Sequence, residues 1–239
     1  MFSFPIVWEE WITWRNRFLL YLGIYMMSPL LFLITFGWGS GSLEYLNFLL
    51  PGIMAFSALT NCYNGVMTRI VSSKTILGTL DFYLLAPVSR LNLIFSYIIS
   101  GSLRGFFAVV LILAVGFILK AKIILSLTFF AVLFLICMTF SALGLAVGFW
   151  AEDFQATHLI SDVFVLPMSF LGGTFVALER LPDFLQYIAW LLPLTPGALL
   201  LRSLAFGEGV AGGCLILLLG WFSLFFVLAY FALRRATRE

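Results

Sequence analysis

Charge is scarce in this chain. Lysine, arginine, aspartate and glutamate make up 10% of its 239 residues, against about 25% in soluble domains. With 63% of the residues hydrophobic and a mean hydropathy of +1.12, there is more apolar surface than a water-soluble fold can hide, so the expected solvent is lipid. A single histidine, His158, leaves no imidazole cluster for a metal and no Ser/His/Asp triad. Cys62, Cys137 and Cys214 lie in apolar runs without CxxC spacing and read as small buried hydrophobes. No GxxxxGK(S/T) occurs, so the chain has no P-loop with which to hydrolyse ATP. A net charge of +2 without a basic stripe gives no reason to expect nucleic acid. The apolar runs are continuous rather than alternating, which excludes a β-barrel.

What is present is a series of long apolar runs: Phe18 to Trp38, Leu46 to Thr68, Leu91 to Leu119, Ile123 to Phe149, Leu159 to Val176 and Gly212 to Leu233. Each can cross a hydrocarbon core of ~30 Å, which needs about 20 residues. A further run, Phe184 to Leu201, is interrupted by Pro193 and Pro196, with Pro182 ahead of it. Six spans put both termini in the cytosol, with Arg15, Arg17, Arg69, Lys74, Arg90, Arg234, Arg235 and Arg238 inside and Lys120, Lys122, Arg180 and Arg202 outside. Eight basic residues against four obey the positive-inside rule. A seventh span would carry the arginine-rich tail outside, so the proline-broken run reads as short helices dipping into the outer face, within an outer loop over 178–210. The expected fold is therefore an all-α polytopic membrane protein of six transmembrane helices, one domain over 1–239, with no catalytic or metal site of its own.

Ahead of the first run, Phe4, Val7, Trp8, Trp11, Ile12 and Phe18 recur at helical spacing, with Glu9, Glu10, Thr13, Asn16 and Arg17 opposite. Residues 1–17 read as an amphipathic interfacial helix, or as the ragged cytosolic end of the first span. Charge preceding the apolar core in this mixed pattern does not read as a secretory signal.

Few polar residues interrupt the spans. Arg104 falls inside the third, where an arginine costs about 2.5 to 3.5 kcal/mol on insertion scales; it either faces a bundle interior or polar path, or snorkels towards the cytosol. Ser57, Asn61 and Asn64 share a helical face at spacings of four and three, which glues helices together or lines a path. Gly144 and Gly148 form a GxxxG beside Ser141, a signature of close helix packing. Glu152, Asp153 and Asp162 read as residues of a short cytosolic turn, capping a helix.

The cytosolic segment 69–90 departs from an ordinary polar loop. Within it, LGTLDFYLLAPVSR (Leu77 to Arg90) offers Gly78 to start or break a helix, Thr79 to cap it and Asp81 in its first turn. Leu80, Phe82, Leu84 and Leu85 supply an apolar ridge, and Ala86–Pro87 end it. A short capped helix with an apolar face suits a groove in a partner.

These motifs resemble those of the ABC-2 type permeases, the membrane subunits of a class of ATP-driven exporters. The resemblance covers essentially the whole chain and rests on FLLPGIMAFSALTN (Phe48 to Asn61), ILGTLDFYLLAPVSR (Ile76 to Arg90) and SFLGGTFVALERLPDFLQYIAWLLPLTP (Ser169 to Pro196). It implies that Thr79 to Pro87, with Gly78 ahead, is the coupling helix that docks into a separate P-loop ATPase, where ATP and Mg²⁺ are bound. It also implies that Ser169 to Val176, with Phe175, ends the fifth span, that Leu181 to Arg202, with Pro182, Pro193 and Pro196, forms the outward-facing helices, and that Phe2 to Arg17 is the interfacial helix. The working unit would be two permease chains, as a homodimer, with two ATPases, and the substrate path would lie between the permeases. Where many relatives carry an acid and an arginine before the GTL, this chain has Ser73, Lys74, Thr75 and Ile76, and the acid after GTL is Asp81 rather than glutamate. The expected cargo is amphipathic, lipid-linked or drug-like, because the available paths are apolar and phenylalanine-rich. The alternatives are a non-transport membrane scaffold or sensor, and an ATP-independent carrier; the latter would call for charged pairs near the midplane, where only Arg104 stands out.

Overall fold

The computed structural model describes residues 8, 12, 15, 23, 27–39, 41–80, 82, 89–151 and 153–236. Most of the expected interfacial helix and the first half of the first span lie outside them, as do Asp81, Leu84, Leu85, Ala86 and Pro87 of the coupling segment and Glu152. The described residues are mostly helical and contain no strand. An apolar helix, α1 (Met27–Gly37), turns π-helical over Leu33–Trp38. Five helices are long and apolar enough to span: α2 (Leu43–Thr75), α3 (Arg90–Ile118), α4 (Leu127–Trp150), α5 (Phe154–Leu171) and, at the end of the chain, α8 (Gly212–Ala236). Between α5 and α8 come a 3₁₀ turn (Leu178–Arg180), α6 (Asp183–Trp190) and α7 (Leu194–Ala205).

The helix starts are written locally. Side-chain oxygens of Ser42, Ser89, Ser126 and Asp153 accept from the backbone N–H three residues on, at 3.3, 3.3, 3.1 and 2.7 Å, satisfying one orphan donor each at the start of α2, α3, α4 and α5. These caps shift the expected boundaries. The fourth span starts at Leu127 rather than Ile123 because Ser126 caps it, and Ile124 bonds instead to the Ala205 carbonyl at 2.9 Å. The fifth starts at Phe154, not Leu159, because Asp153 caps it. It ends at Leu171, not Val176, because Gly173 takes φ +71 and turns the chain out of the helix.

The proline-broken run forms two helices, α6 and α7, that meet at 92°. Pro182 and Pro193 precede their first residues and Pro196 sits in the first turn of α7, where a missing N–H costs nothing. Leu181 offers its carbonyl to Gln186 Nε2 at 2.9 Å.

The bundle is built around α2, which packs on α4 most extensively and also on α3 and α7. Gly144 makes the α2–α4 approach possible: a Cβ there would sit 2.4 Å from the Tyr63 carbonyl oxygen. Gly148 likewise lies against Met67 and Ile70, so the GxxxG faces α2. Ile70 of α2, Leu93 of α3 and Leu233 of α8 share one buried cluster. Arg69, Lys74, Arg90, Arg234 and Arg235 therefore gather at one end of the bundle.

Candidate functional site

At the opposite end of the bundle the first and third motifs meet. The loop after α5 runs across α2 so closely that a Cβ on Gly52 would lie 2.2 Å from the Thr174 carbonyl oxygen; only glycine leaves room. Phe175, at the centre of this loop, is buried and its ring gathers four others: Phe32 at 5.0 Å, Phe170 at 5.5 Å, and Phe36 and Phe56 at 5.8 Å between centroids. Offset and tilted rings at such spacings attract beyond their burial. The cluster ties α1, α2 and α5 together. Tyr45 Oη donates to the Phe175 carbonyl at 3.0 Å.

Arg202, near the end of α7, fastens the same loop. Its Nη2 donates to the Gly173 carbonyl at 2.8 Å and its Nε to the Phe48 carbonyl at 3.3 Å, while the guanidinium lies 3.8 Å over the Phe48 ring, a cation–π geometry. From sequence, Arg202 stands as an outer charge that closes the outward-facing helices, with no partner assigned. The available signal is a cation directly after the apolar run that ends at Leu201; the carbonyls it reaches, those of Phe48 and Gly173, are distant in sequence and unmarked by residue type.

The polar face expected on α2 divides. Ser57 and Asn61 are buried, and Asn61 Nδ2 donates to the Ser57 carbonyl at 3.0 Å and to its hydroxyl at 2.9 Å. Asn64 is exposed, with Thr68 one turn on. Arg104 is half-buried and lays its guanidinium across α2: a Cβ on Gly65 would meet Nη1 at 2.8 Å. Gly65 is one turn from Asn61, so the α2–α3 seam holds both Asn61 and Arg104, and Asn64 belongs to another face.

That other face adjoins α5. Ser161 Oγ donates to Tyr63 Oη at 3.1 Å and to the Thr157 carbonyl at 2.8 Å, and touches Met67 Sδ at 3.7 Å. Asn64 and Thr68 flank those two α2 residues, and Asp162 follows Ser161. Asp162 therefore does not belong to a turn: it lies nine residues after the cap Asp153, about 13 Å along the helix, exposed on α5 with His158 one turn before it. Of the three acids assigned to the turn, Asp153 is the helix cap.

At the basic end, the chain leaves α2 through Ile76 and Leu77, both exposed, and turns at Gly78 with φ +59, with Thr79 N–H bonded to the Ser73 carbonyl at 3.0 Å. Leu80 does not join the expected outward ridge. It is buried among Ile70, Leu93, Ile94 and Phe149 and pins the segment to the bundle, while Phe82 points away at 73% exposure. Among the described residues of this segment, Ile76, Leu77 and Phe82 form the outward apolar surface.

A family model for the ABC-2 type transporter matches residues 4–206. The chain belongs to the ABC-2 type transporter family. Among its relatives, it is 31% identical over 152 residues to the "Inner membrane transport permease YadH" of Escherichia coli, covering 63% of this chain and 59% of that one. It is 33% identical over 190 residues to the "Putative transport permease ycf38" of Cyanophora paradoxa, covering 71% and 62%. The matches thus span about three fifths of these relatives' length. The ABC-2 membership and the apolar helices make this a multi-pass integral membrane protein.

Proposed function

We propose that this chain is the permease of an ABC exporter in the cytoplasmic membrane. Two copies enclose a substrate path between their α2–α5 faces, and two copies of a separate P-loop ATPase, carrying ATP and Mg²⁺, grip the Gly78–Pro87 segment. The termini and the basic end of the bundle face the cytosol, and α6, α7 and the Phe175 cluster face outward. The observation that carries this reading is the apolar surface of Ile76, Leu77 and Phe82 at the basic end. Exposed apolar side chains beyond a membrane span, held by a buried Leu80, suit a partner's groove. ATP-driven movement of that partner biases the permease between inward- and outward-open arrangements through its differential affinity for the two. The Arg202 and Phe175 contacts hold the outward end shut in one of them. Amphipathic or lipid-linked cargo suits a path walled by aromatic rings with few fixed charges.

The test is purification of the tagged chain from its host in mild detergent. A stoichiometric P-loop ATPase is expected, and it should be lost from Phe82→Asp and from Leu84→Asp/Leu85→Asp while membrane yield is kept. Undiminished ATPase association in both variants would remove the coupling role. Asp162 gives the ATP-independent carrier the intramembrane acid that the sequence reading lacked, so transport in vesicles without ATP is the second arm: activity there would favour the carrier.

A further inference from the structure

A cavity of about 470 Å³ opens at the α6–α7 end of the bundle, between the first turns of α2 and the 3₁₀ turn. Glu44, Tyr45 and Phe48 line one wall and Arg180 another, with Phe175 beside them. Tyr45 and Phe48 stack at 6.2 Å with ring planes 20° apart, and the Tyr45 hydroxyl is fixed on the Phe175 carbonyl, so the aromatic wall is preformed. Glu44 and Arg180 are exposed and no ion pair joins them. A lone cation or lone anion in this space would meet one attractive and one repulsive charge. A zwitterion satisfies both, with its ammonium on Glu44 beside the Tyr45 ring and its oxyanion on the forked donors of Arg180; the Phe48 ring already carries the Arg202 guanidinium.

We infer that this cavity is a binding site for an ammonium–phosphodiester headgroup, of the phosphoethanolamine type, with Glu44 and Arg180 setting its orientation. The volume falls in the range of small-ligand sites, roughly 300 to 1,000 Å³, and suits a headgroup with its first carbons rather than a whole two-chain lipid. The same chemistry arrives from a phospholipid of the surrounding leaflet or from a soluble headgroup. The site requires neither the ATPase nor the coupling role of the 78–87 segment, so it stands or falls independently of both.

The full chain is placed in nanodiscs of phosphatidylglycerol and titrated with radiolabelled, water-soluble dihexanoyl phosphatidylethanolamine. Saturable binding is expected, not competed by dihexanoyl phosphatidylglycerol, which lacks the ammonium. Glu44→Gln and Arg180→Gln should each weaken it about tenfold or more, the scale of a lost hydrogen bond to a charged group. The exchanged pair Glu44→Arg/Arg180→Glu should recover binding that either single exchange loses, which guards against a merely misfolded variant. Competition by free phosphoethanolamine would mean that the headgroup suffices; its failure alongside lipid binding would identify the leaflet as the source. Absence of saturable binding, equal competition by phosphatidylglycerol, or indifference to Glu44→Gln would overturn the assignment.

Discussion

Helices α5 and α8 are equally bare, with 22% of each apolar window buried against the rest of the chain, yet their open faces differ in kind. That of α8 displays Ile216, Leu217, Leu219, Leu224, Val227, Leu228 and Phe231; its exposed Ser223 is bonded to its own helix at the Leu219 carbonyl, 2.9 Å away. This is a surface lipid can cover, since acyl chains are as apolar as leucine. The open face of α5 carries Gln155, His158 and Asp162 among its apolar residues, with Asn64 and Thr68 of α2 beside it. A carboxylate there is poorly served by lipid, so protein or water covers it. Equal exposure thus conceals two different solvents, and the polar groups tell them apart.

The largest effect should come from exchanging these surfaces. Leu224→Asp puts a carboxylate on the α8 face and should cost about 2.5 to 3.5 kcal/mol of insertion, the scale for a charge at mid-span. It would be read as a fall in membrane-inserted yield of a fluorescent fusion. Asp162→Leu should leave that yield intact and impair transport. Normal insertion of Leu224→Asp would mean that α8, not α5, lies against a polar surface. In a cysteine-free background, Val163→Cys should cross-link to a second copy of the chain and Leu224→Cys should not; the reverse result would move the proposed contact to α8.

Next in size is the fastening of the end of α5. Arg202→Met removes two hydrogen bonds from a charged donor to the Gly173 and Phe48 carbonyls, worth about 1.5 to 3 kcal/mol. The midpoint of thermal unfolding in detergent should drop, and amide exchange should rise over 172–176 while the core of α8 keeps its protection. A uniform rise across α8 would show that Arg202 stabilises the whole bundle rather than this loop.

The spans were legible because continuous apolar runs survive any error of a few residues, and the proline-broken run was legible because Pro182, Pro193 and Pro196 fit helix starts better than helix interiors. The ends were not, because Ser126 and Asp153 fix them through single hydrogen bonds that hydropathy does not register. For the candidate site, sequence found the right motifs without their meeting: nothing in FLLPG or FLGGTF says that Gly52 and Thr174 touch. Leu80 and Phe82 were assigned to one ridge by residue type, and Gly78, at positive φ, precedes a segment in which one faces in and the other out. Asp162 was misplaced because three nearby acids looked like one turn, whereas Asp153 supplies the cap and Asp162 lies well inside the helix.

The smallest effects sharpen the comparison furthest, because they test one hydroxyl on each helix. Ser161 joins α5 to Tyr63 and Met67 of α2, whereas Ser223, among the described residues, bonds within α8 to the Leu219 carbonyl. Removing a hydroxyl that bridges two helices costs about 1 kcal/mol, and double-mutant cycles in a helical membrane protein average about 0.6 for such bonds. A surface substitution that leaves no buried group unpaired stays within about 0.5 kcal/mol. Ser161→Ala should therefore lower stability measurably and Ser223→Ala should not. Pairing Ser161→Ala with Tyr63→Phe should give less than the sum of the two singles, since they break the same contact. Strict additivity would mean that Ser161 acts through its bond to the Thr157 carbonyl, and that the α2–α5 seam is held by its apolar contacts and the Phe175 ring cluster alone.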